Sequence, residues 1–290
     1  MSVDALQPAP SSVESAERPT GGFPLWRRQV GAIFGLELRK TFLRGGSILV
    51  VLLCALPIIL LAARAIIVPL RHNVPSLIEN ATIFAQVYGF LVRGVIFFGC
   101  VAIFTHLFRG EVLQRSLHFY FLAPLRRPVL MVGKYLAGLA ASIVLFGTTT
   151  VACFWLTYLP SGAQGRDYLW HGGGLGQAML YFGITVLACI GYGAVFLTLG
   201  LFFRNPMLPA AAVLGWETIN FLLPPLLKRF SVLFYLESLF PVHISEGPLA
   251  FPAEPVAPWI SILGLCALAA ALLWIAGRRV KRFEVLYGED

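Results

Sequence analysis

The stretch FRGEVLQRSLHFYFLAPLRRPVLMVGK, residues 108–134, is a charged segment between two long apolar segments. Glu111 and Arg115 stand four residues apart near its start, so they share one face of a helix. Leu117 and Phe121 continue an apolar row at helical spacing, and Pro124 disfavours helix in the residue before it. The stretch therefore predicts a short amphipathic helix on a membrane surface that ends at Pro124.

The second half of the stretch leads back into apolar sequence through Arg126 and Arg127, followed by Gly133 and Lys134. The order resembles the cytoplasmic loop between the second and third membrane helices of the type-2 ATP-binding-cassette (ABC-2) permeases. Arg115 departs from that family, which more often has a small residue there. The positions that carry the resemblance are Glu111, Ser116 and Leu117, Phe121 and Leu122, Pro124, Arg126 or Arg127, and Gly133 with Lys134.

The resemblance implies a function and a set of partners. ABC-2 permeases are membrane-spanning subunits of exporters, and a separate ATPase subunit binds ATP and Mg²⁺. The implied fold is an all-α membrane protein in which two permease copies, identical or related, form the pore. The loop becomes a coupling helix against which the ATPase pushes. The residues assigned to coupling by the resemblance are Glu111, Arg115, Leu117, Phe121, Pro124 and Arg126.

Composition places the chain in a lipid bilayer independently of the resemblance. Hydrophobic residues make up 58% of the 290 residues and charged residues only 12%, whereas about a quarter of the residues in a soluble domain are charged. The formal net charge of +8 does not indicate nucleic acid, because basic residues of membrane proteins concentrate at the cytoplasmic rim. Membrane lipids, not nucleic acid, are the expected surroundings.

Six apolar runs are long enough, or nearly so, to cross about 30 Å of hydrocarbon. They are residues 46–68, 83–108, 129–159, 175–203, 208–227 and 259–277. Pro57 is expected to kink or end the first run, and the pair Pro224 and Pro225 the fifth. Before these runs, residues 1–22 are interpreted as a disordered tail and 23–45 as an interfacial amphipathic helix. Residues 278–290 form a basic tail.

The lysines and arginines predict the orientation of the six-helix domain at 46–277. Most of the 22 basic side chains fall on one side if the N-terminus is cytoplasmic, including those of the charged loop and of both tails. Because cytoplasmic loops carry the excess of Lys and Arg, both termini are predicted in the cytoplasm. The expected location is the plasma (inner) membrane of the cell.

Two formal charges, Arg93 and Glu217, are predicted well inside the membrane, where charges are costly and face a partner or a watery path. They are candidates to pair with each other. Asn220 follows Glu217 by three residues and would point the same way on one helix. In one interpretation the three residues line a translocation route or receive a polar headgroup. In the other, Arg93 snorkels to the surface and Glu217 bonds to neighbouring backbone or hydroxyl groups.

The sequence contains no recognisable catalytic motif. Gly133 and Lys134 lack the remaining residues of a phosphate-binding loop, and the five histidines have no ligand spacing. Ser161 lacks the Gly-x-Ser-x-Gly context that would make it and His171 a hydrolase pair. The five cysteines fall in separate apolar runs and are interpreted as small apolar residues. We expect no enzyme and no metal site, and any ATP hydrolysis to reside in a partner.

Three functions remain open on the sequence alone. An ATP-driven exporter is favoured by the charged loop, with weakly hydrophilic outer loops that favour an amphiphilic substrate. A secondary transporter or channel would use Arg93 and Glu217 without an ATPase, although the six runs show no inverted repeat. A membrane scaffold would move no substrate at all.

Overall fold

The computed structural model describes residues 30–31, 33–35, 46–71, 74–113, 127–203, 205–242 and 257–281. Within these residues the secondary structure is entirely helical. The helices are α1 (Gly46–Leu70), α2 (Leu77–Phe90), α3 (Phe97–Leu113), α4 (Arg127–Tyr158), α5 (Gly162–Trp170), α6 (Gly174–Phe202), α7 (Met207–Thr218), α8 (Pro225–Lys228), α9 (Val232–Glu237) and α10 (Pro258–Lys281). A π-helical segment, Leu91–Ile96, joins α2 to α3 without a break.

Five helical stretches in the described part of the chain are long and apolar enough to cross a membrane. They are Ile48–Leu70, Leu77–Leu107, Val129–Trp170, Gly174–Phe202 and Pro258–Val280. The chain is therefore a multi-pass, all-helical membrane protein. Five of the six predicted runs match these stretches, and α1 continues through Pro57 without ending there.

The second stretch begins earlier than its apolar run predicted because polar residues start the helix. Ser76 is the N-cap, and its hydroxyl oxygen accepts a hydrogen bond from the backbone N–H of Glu79 at 3.1 Å. Ser followed three residues later by Glu is a capping signature, which satisfies backbone donors at a helix start. Asn80 lies in the first turn yet is fully buried. Hydropathy alone excluded these residues from the predicted span.

The fifth predicted run, 208–227, does not form one continuous helix and is not among the five spanning stretches. Helix α7 ends at Thr218, and a 3-10 turn, Asn220–Leu222, follows it. Leu223 and Pro224 then have extended backbone dihedrals, because proline disfavours helix in the residue before it. Pro225 opens α8 at its first position, where the missing backbone donor is not needed. Two short helices, α8 and α9, continue the segment. The 12 residues of α7 rise only about 18 Å at 1.5 Å per residue.

Helix α6 forms the centre of the bundle and packs against α3, α4, α9 and α10. Aromatic rings of α2, α3 and α4 also contact it. Phe84 and Tyr88 of α2 meet Tyr181 of α6 edge to face, with ring centroids 4.7 and 4.6 Å apart. Such arrangements are favourable for aromatic pairs. In contrast, α1 and α10 lie at the periphery, and most of their apolar side chains are exposed as expected for helices that face lipid.

Contacts between helix ends define two faces of the bundle. On the first, the Lys134 face, the Lys134 ammonium donates to the Leu107 carbonyl at 3.0 Å, Gly200 packs against the backbone of Thr105, and Arg279 lies 5.5 Å from the Phe202 ring. The end of α3, the start of α4 and the ends of α6 and α10 therefore lie together.

The Asn80 face lies at the other end of the helices. Arg64 near the end of α1 donates to the Asn80 side chain at 2.9 Å and to the Thr157 carbonyl near the end of α4 at 3.0 Å. Asn80 donates in turn to Ser161 at 2.7 Å. Since the end of α1 lies here, its first residue, Gly46, points toward the Lys134 face.

The predicted interfacial helix is described only in part. Residues 30–31 and 33–35 are helical, and Val30 and Ile33 pack against Val129 and Leu130 at the start of α4. The remainder of 23–45 lies outside the described residues, as do the predicted tail at 1–22 and residues 282–290.

Candidate functional site

Arg93 lies at the middle of the second spanning stretch. The central residue of Leu77–Leu107 is Val92, its immediate neighbour. Arg93 belongs to the π-helical segment Leu91–Ile96, and about 58% of its side chain is exposed. Single π-helical turns inside α-helices occur frequently at functional sites. A half-exposed cation at this depth marks the first element of a candidate site.

The Arg93 guanidinium forms an ion pair with the carboxylate of Glu237, the last residue of α9. The suggested direct pair between Arg93 and Glu217 is not formed. Glu237 was not among the candidates from the sequence, because it lies between the apolar runs 208–227 and 259–277. The short apolar piece at 232–236 beside it is a signal typical of a re-entrant half-helix.

Glu217 caps the start of α9 instead. Its carboxylate accepts hydrogen bonds from the backbone N–H groups of Val232 at 3.0 Å and Leu233 at 3.2 Å, and from the Ser231 hydroxyl at 2.5 Å. The first N–H groups of a helix have no partner within the helix, and the helix dipole favours a negative charge there. Glu217 is buried, and its partners are backbone and hydroxyl groups of the kind that the second interpretation named.

Helix α9 is therefore held by a carboxylate at its start and a guanidinium at its end. Its side chains Val232, Leu233 and Leu236 are buried against the bundle. Gly191 of α6 permits this approach, because a Cβ at that position would meet Val232 at 2.8 Å. Gly191 lies near the middle of α6, which places the start of α9 deep in the bundle. The segment thus behaves as a half-helix anchored within the membrane domain.

The charged side chains converge on one buried ring. Tyr192 of α6 is fully buried and lies within electrostatic reach of Arg93, Glu217 and Glu237. Of these charged groups, Glu217 is buried and Glu237 is mostly covered, whereas Arg93 is more than half exposed. Asn220 does not join Glu217 on a helix face, because α7 ends before it. Its side-chain oxygen is buried with no hydrogen-bond partner.

A second polar cluster, at the Asn80 face, has a structural role. The Ser161 hydroxyl accepts from Asn80 and donates to the Pro75 carbonyl at 2.9 Å. His171 pairs with Asp167 at 3.2 Å, one helical turn away. Since both Ser161 and His171 are bound to other groups, the geometry does not assemble a serine nucleophile with a histidine base.

The residues assigned to coupling lie at the edge of what the structure describes. The backbone of Glu111 is helical and belongs to the last turn of α3. Arg115, Leu117, Phe121, Pro124 and Arg126 lie outside the described residues. The structure does show how the two flanking helices are joined. Lys134 of α4 is fully buried, and its ammonium donates a hydrogen bond to the Leu107 carbonyl of α3.

No protein-family model matches this chain, and a comparison with curated proteins finds no match either. The geometry of the described residues, together with the resemblance in the charged loop, is therefore the basis for assigning a function.

Proposed function

We propose that this protein is the membrane-spanning subunit of an ATP-driven exporter of the ABC-2 type. It would work in the plasma (inner) membrane with a second permease copy and a separate ATPase subunit. That subunit would bind ATP and Mg²⁺, and the chain itself would carry no catalytic residue. The fold proposed is six passages with both termini in the cytoplasm, an interfacial helix at 23–45 and a coupling helix between the second and third passages.

The observation that carries the proposal is the mechanical arrangement around the charged loop. Helix α3 ends at Leu113 and α4 begins at Arg127, so the loop leaves and rejoins the bundle on the Lys134 face. The buried Lys134 ammonium joins the two flanking helices at Leu107. A force applied to Glu111 or its neighbours would therefore reach α3 and α4 together, and both pack on the central α6.

The positions of the helix ends support six passages. Gly46 points to the Lys134 face, and α6 ends on that same face after four passages. Helix α10 also ends there, beside Phe202, so it begins on the opposite face. The intervening segment must consequently carry the chain across once more. The broken sequence of α7, the 3-10 turn, α8 and α9 makes this passage in our proposal.

Irregular backbone in a membrane is tolerated where protein groups satisfy its hydrogen bonds. Glu217 and Ser231 do so at the start of α9. A re-entrant element before the last passage also agrees with the layout of ABC-2 permeases that the sequence resembles.

The first experiment is affinity purification of the full chain from its native membranes in mild detergent, followed by mass spectrometry. We expect a stoichiometric partner that carries a phosphate-binding loop, because the chain has none. Recovery of the chain alone, folded and without any nucleotide-binding partner, would refute the exporter proposal.

A substitution tests the coupling helix directly. Glu111→Ala should reduce ATP-dependent transport in reconstituted vesicles by about tenfold or more, equivalent to about 1.4 kcal/mol of coupling, while partner ATP hydrolysis continues. The loss is expected because Glu111 would meet the ATPase electrostatically. Asp167→Ala is the matched control, since this exposed carboxylate lies in α5, beyond the end of α4. Unchanged transport by Glu111→Ala would remove the residue from the coupling role.

An ion-driven transporter or channel is the second candidate, favoured by the Arg93 and Glu237 pair at membrane depth. It predicts flux through the purified chain alone, driven by an ion gradient and abolished by Glu237→Gln. The exporter predicts no such flux without the ATPase. Reconstitution with and without nucleotide therefore separates the two functions.

A further inference from the structure

One face of the second passage presents a single cation among exposed rings. Phe90, Arg93 and Phe98 follow one another along this face, and about half of each phenylalanine side chain is exposed. Along the chain, Arg93 follows the first ring by three residues and precedes the second by five, and it belongs to the π-helical segment. An exposed cation at mid-membrane depth is unfavourable without polar partners. The ion pair with Glu237 meets only part of this need.

The guanidinium has more donors than the described structure uses. Arginine presents five N–H donors in a planar fork that matches carboxylate and phosphate oxygens. The ion pair with Glu237 occupies one end of that fork. Glu237 is mostly covered, with about 20% of its side chain exposed, whereas about 58% of the Arg93 side chain is exposed. The remaining guanidinium N–H groups have no hydrogen-bond partner among the described residues and require an acceptor.

We propose that Arg93, Phe90 and Phe98 form a laterally open site for an anionic amphiphile. The headgroup, a phosphate or carboxylate, binds the open edge of the Arg93 guanidinium. The apolar chain lies along the two phenylalanine rings, where it remains in contact with lipid. As a statement of substrate class this rests on the proposed exporter function, but the binding itself is a property of this chain alone.

Glu237 is the internal competitor of this ligand. Its carboxylate occupies part of the same fork and repels a second anion nearby, so it weakens binding. A bound headgroup in turn draws Arg93 away from Glu237 and loosens the end of α9. The start of α9 stays fixed by Glu217. Ligand binding at the second passage is thereby linked to movement of the re-entrant segment.

Binding is measured on the purified full chain in neutral maltoside micelles. The probe is dioleoyl phosphatidic acid, compared with phosphatidylcholine of the same chains and with inorganic phosphate, and Kd is obtained by native mass spectrometry and thermophoresis. We expect selective binding of phosphatidic acid that millimolar inorganic phosphate does not displace. Equal binding of phosphatidylcholine would refute an anionic site. If inorganic phosphate alone displaces phosphatidic acid, the ligand is a soluble anion and the proposal of an amphiphile is refuted.

Two variants with opposite expected effects exclude a merely structural role. Arg93→Gln should weaken phosphatidic acid binding about tenfold, whereas Glu237→Gln should tighten it several-fold because the competing charge is removed. The affinity of Arg93→Lys should lie between those of the wild type and Arg93→Gln, since lysine keeps the charge but lacks the planar fork of N–H donors. The matched control is Arg71→Gln, an exposed arginine after α1, which should bind as the wild type does. Weakening by both Arg93→Gln and Glu237→Gln would indicate disruption of the fold and refute the site.

The outcome is independent of the ATPase experiment. If phosphatidic acid binds selectively but no ATPase is recovered, the headgroup site is supported and the exporter proposal is refuted. If an ATPase is recovered but Arg93→Gln binds phosphatidic acid as the wild type does, the exporter is supported and the headgroup site is refuted.

Discussion

At the scale of single residues, Glu217 holds the start of α9 in place. Its carboxylate accepts three hydrogen bonds, from Ser231, Val232 and Leu233, all of them buried. Without it, two backbone N–H groups at the start of α9 would lie inside the membrane domain with no acceptor. Leaving a buried donor unsatisfied costs about 1–3 kcal/mol per group. Glu217 is thus required for the fold, and it also lies near the candidate site.

Glu217→Ala should lower the free energy of unfolding by about 3 kcal/mol, the expected loss for charged hydrogen bonds of this kind. Glu217→Gln should lose less, because its amide oxygen still accepts from one N–H group. Denaturant titration in micelles measures both. The control is Thr218→Ala, whose exposed hydroxyl bonds only to the preceding turn. If Glu217→Ala unfolds like this control, the capping role is wrong.

The sequence predicts these residues better than it predicts their partners. A charge inside an apolar run reveals that Arg93 and Glu217 must be satisfied, because the cost of burial is general. It does not reveal which groups satisfy them. The partners Glu237 and Ser231 come from a segment whose depth in the membrane cannot be read from hydropathy alone. The suggested Arg93 and Glu217 pair failed for this reason.

At the scale of elements, the peripheral helix α1 is joined to the bundle by packing and by polar contacts. One side of it packs on α4, and Val50, Cys54 and Leu61 are buried in the core. Arg64 adds hydrogen bonds from the end of α1 to Asn80 of α2 and to the Thr157 carbonyl of α4. Arg64 therefore joins three helices at one point.

Arg64→Met should therefore speed backbone hydrogen exchange at residues 74–80 by at least about tenfold, since hydrogen bonds to a charged group contribute about 1.5–3 kcal/mol. Exchange in α6, which Arg64 does not contact, should stay unchanged. Mass spectrometry of peptides from lipid nanodiscs measures both regions in one experiment. Arg71→Met removes a nearby exposed charge as control. Equal protection in the two variants would contradict the role of Arg64.

Helix boundaries show where periodicity and hydropathy succeed and where they fail. Long apolar runs predicted α4, α6 and α10 within a few residues, because a helix of that composition has few alternatives in lipid. The fifth run gave no sign of where its helix breaks, because its composition is apolar whether or not the backbone is helical. The two prolines gave the correct local warning, but the break occurs earlier, at Thr218, and its stabilisation by Glu217 depends on tertiary contacts.

At the scale of the whole molecule, the number of passages fixes the relation between the two ends. Five passages would leave residues 46 and 281 on opposite sides of the membrane, whereas six leave them on one side. Basic residues flank both ends, including Arg278 and Arg279, which favours the same, cytoplasmic side. Fluorescent-protein and alkaline-phosphatase reporters fused at each end should both report cytoplasm. Opposite readings would show that α7 to α9 dips into the membrane and returns.

The π-helical segment Leu91–Ile96 sets the rotational phase between the two halves of the second passage. Its first half, α2, packs mainly on α4, while its second half, α3, packs mainly on α6. One residue more or less in a helix turns everything beyond it by about 100°. Deleting a single residue here would therefore swing α3 away from α6 and redirect the point where the charged loop leaves the bundle. A one-residue change in length near Arg93 would therefore change the direction in which the chain leaves α3 at Leu113. At about 1.5 Å per residue, Leu113 lies more than 20 Å from Arg93.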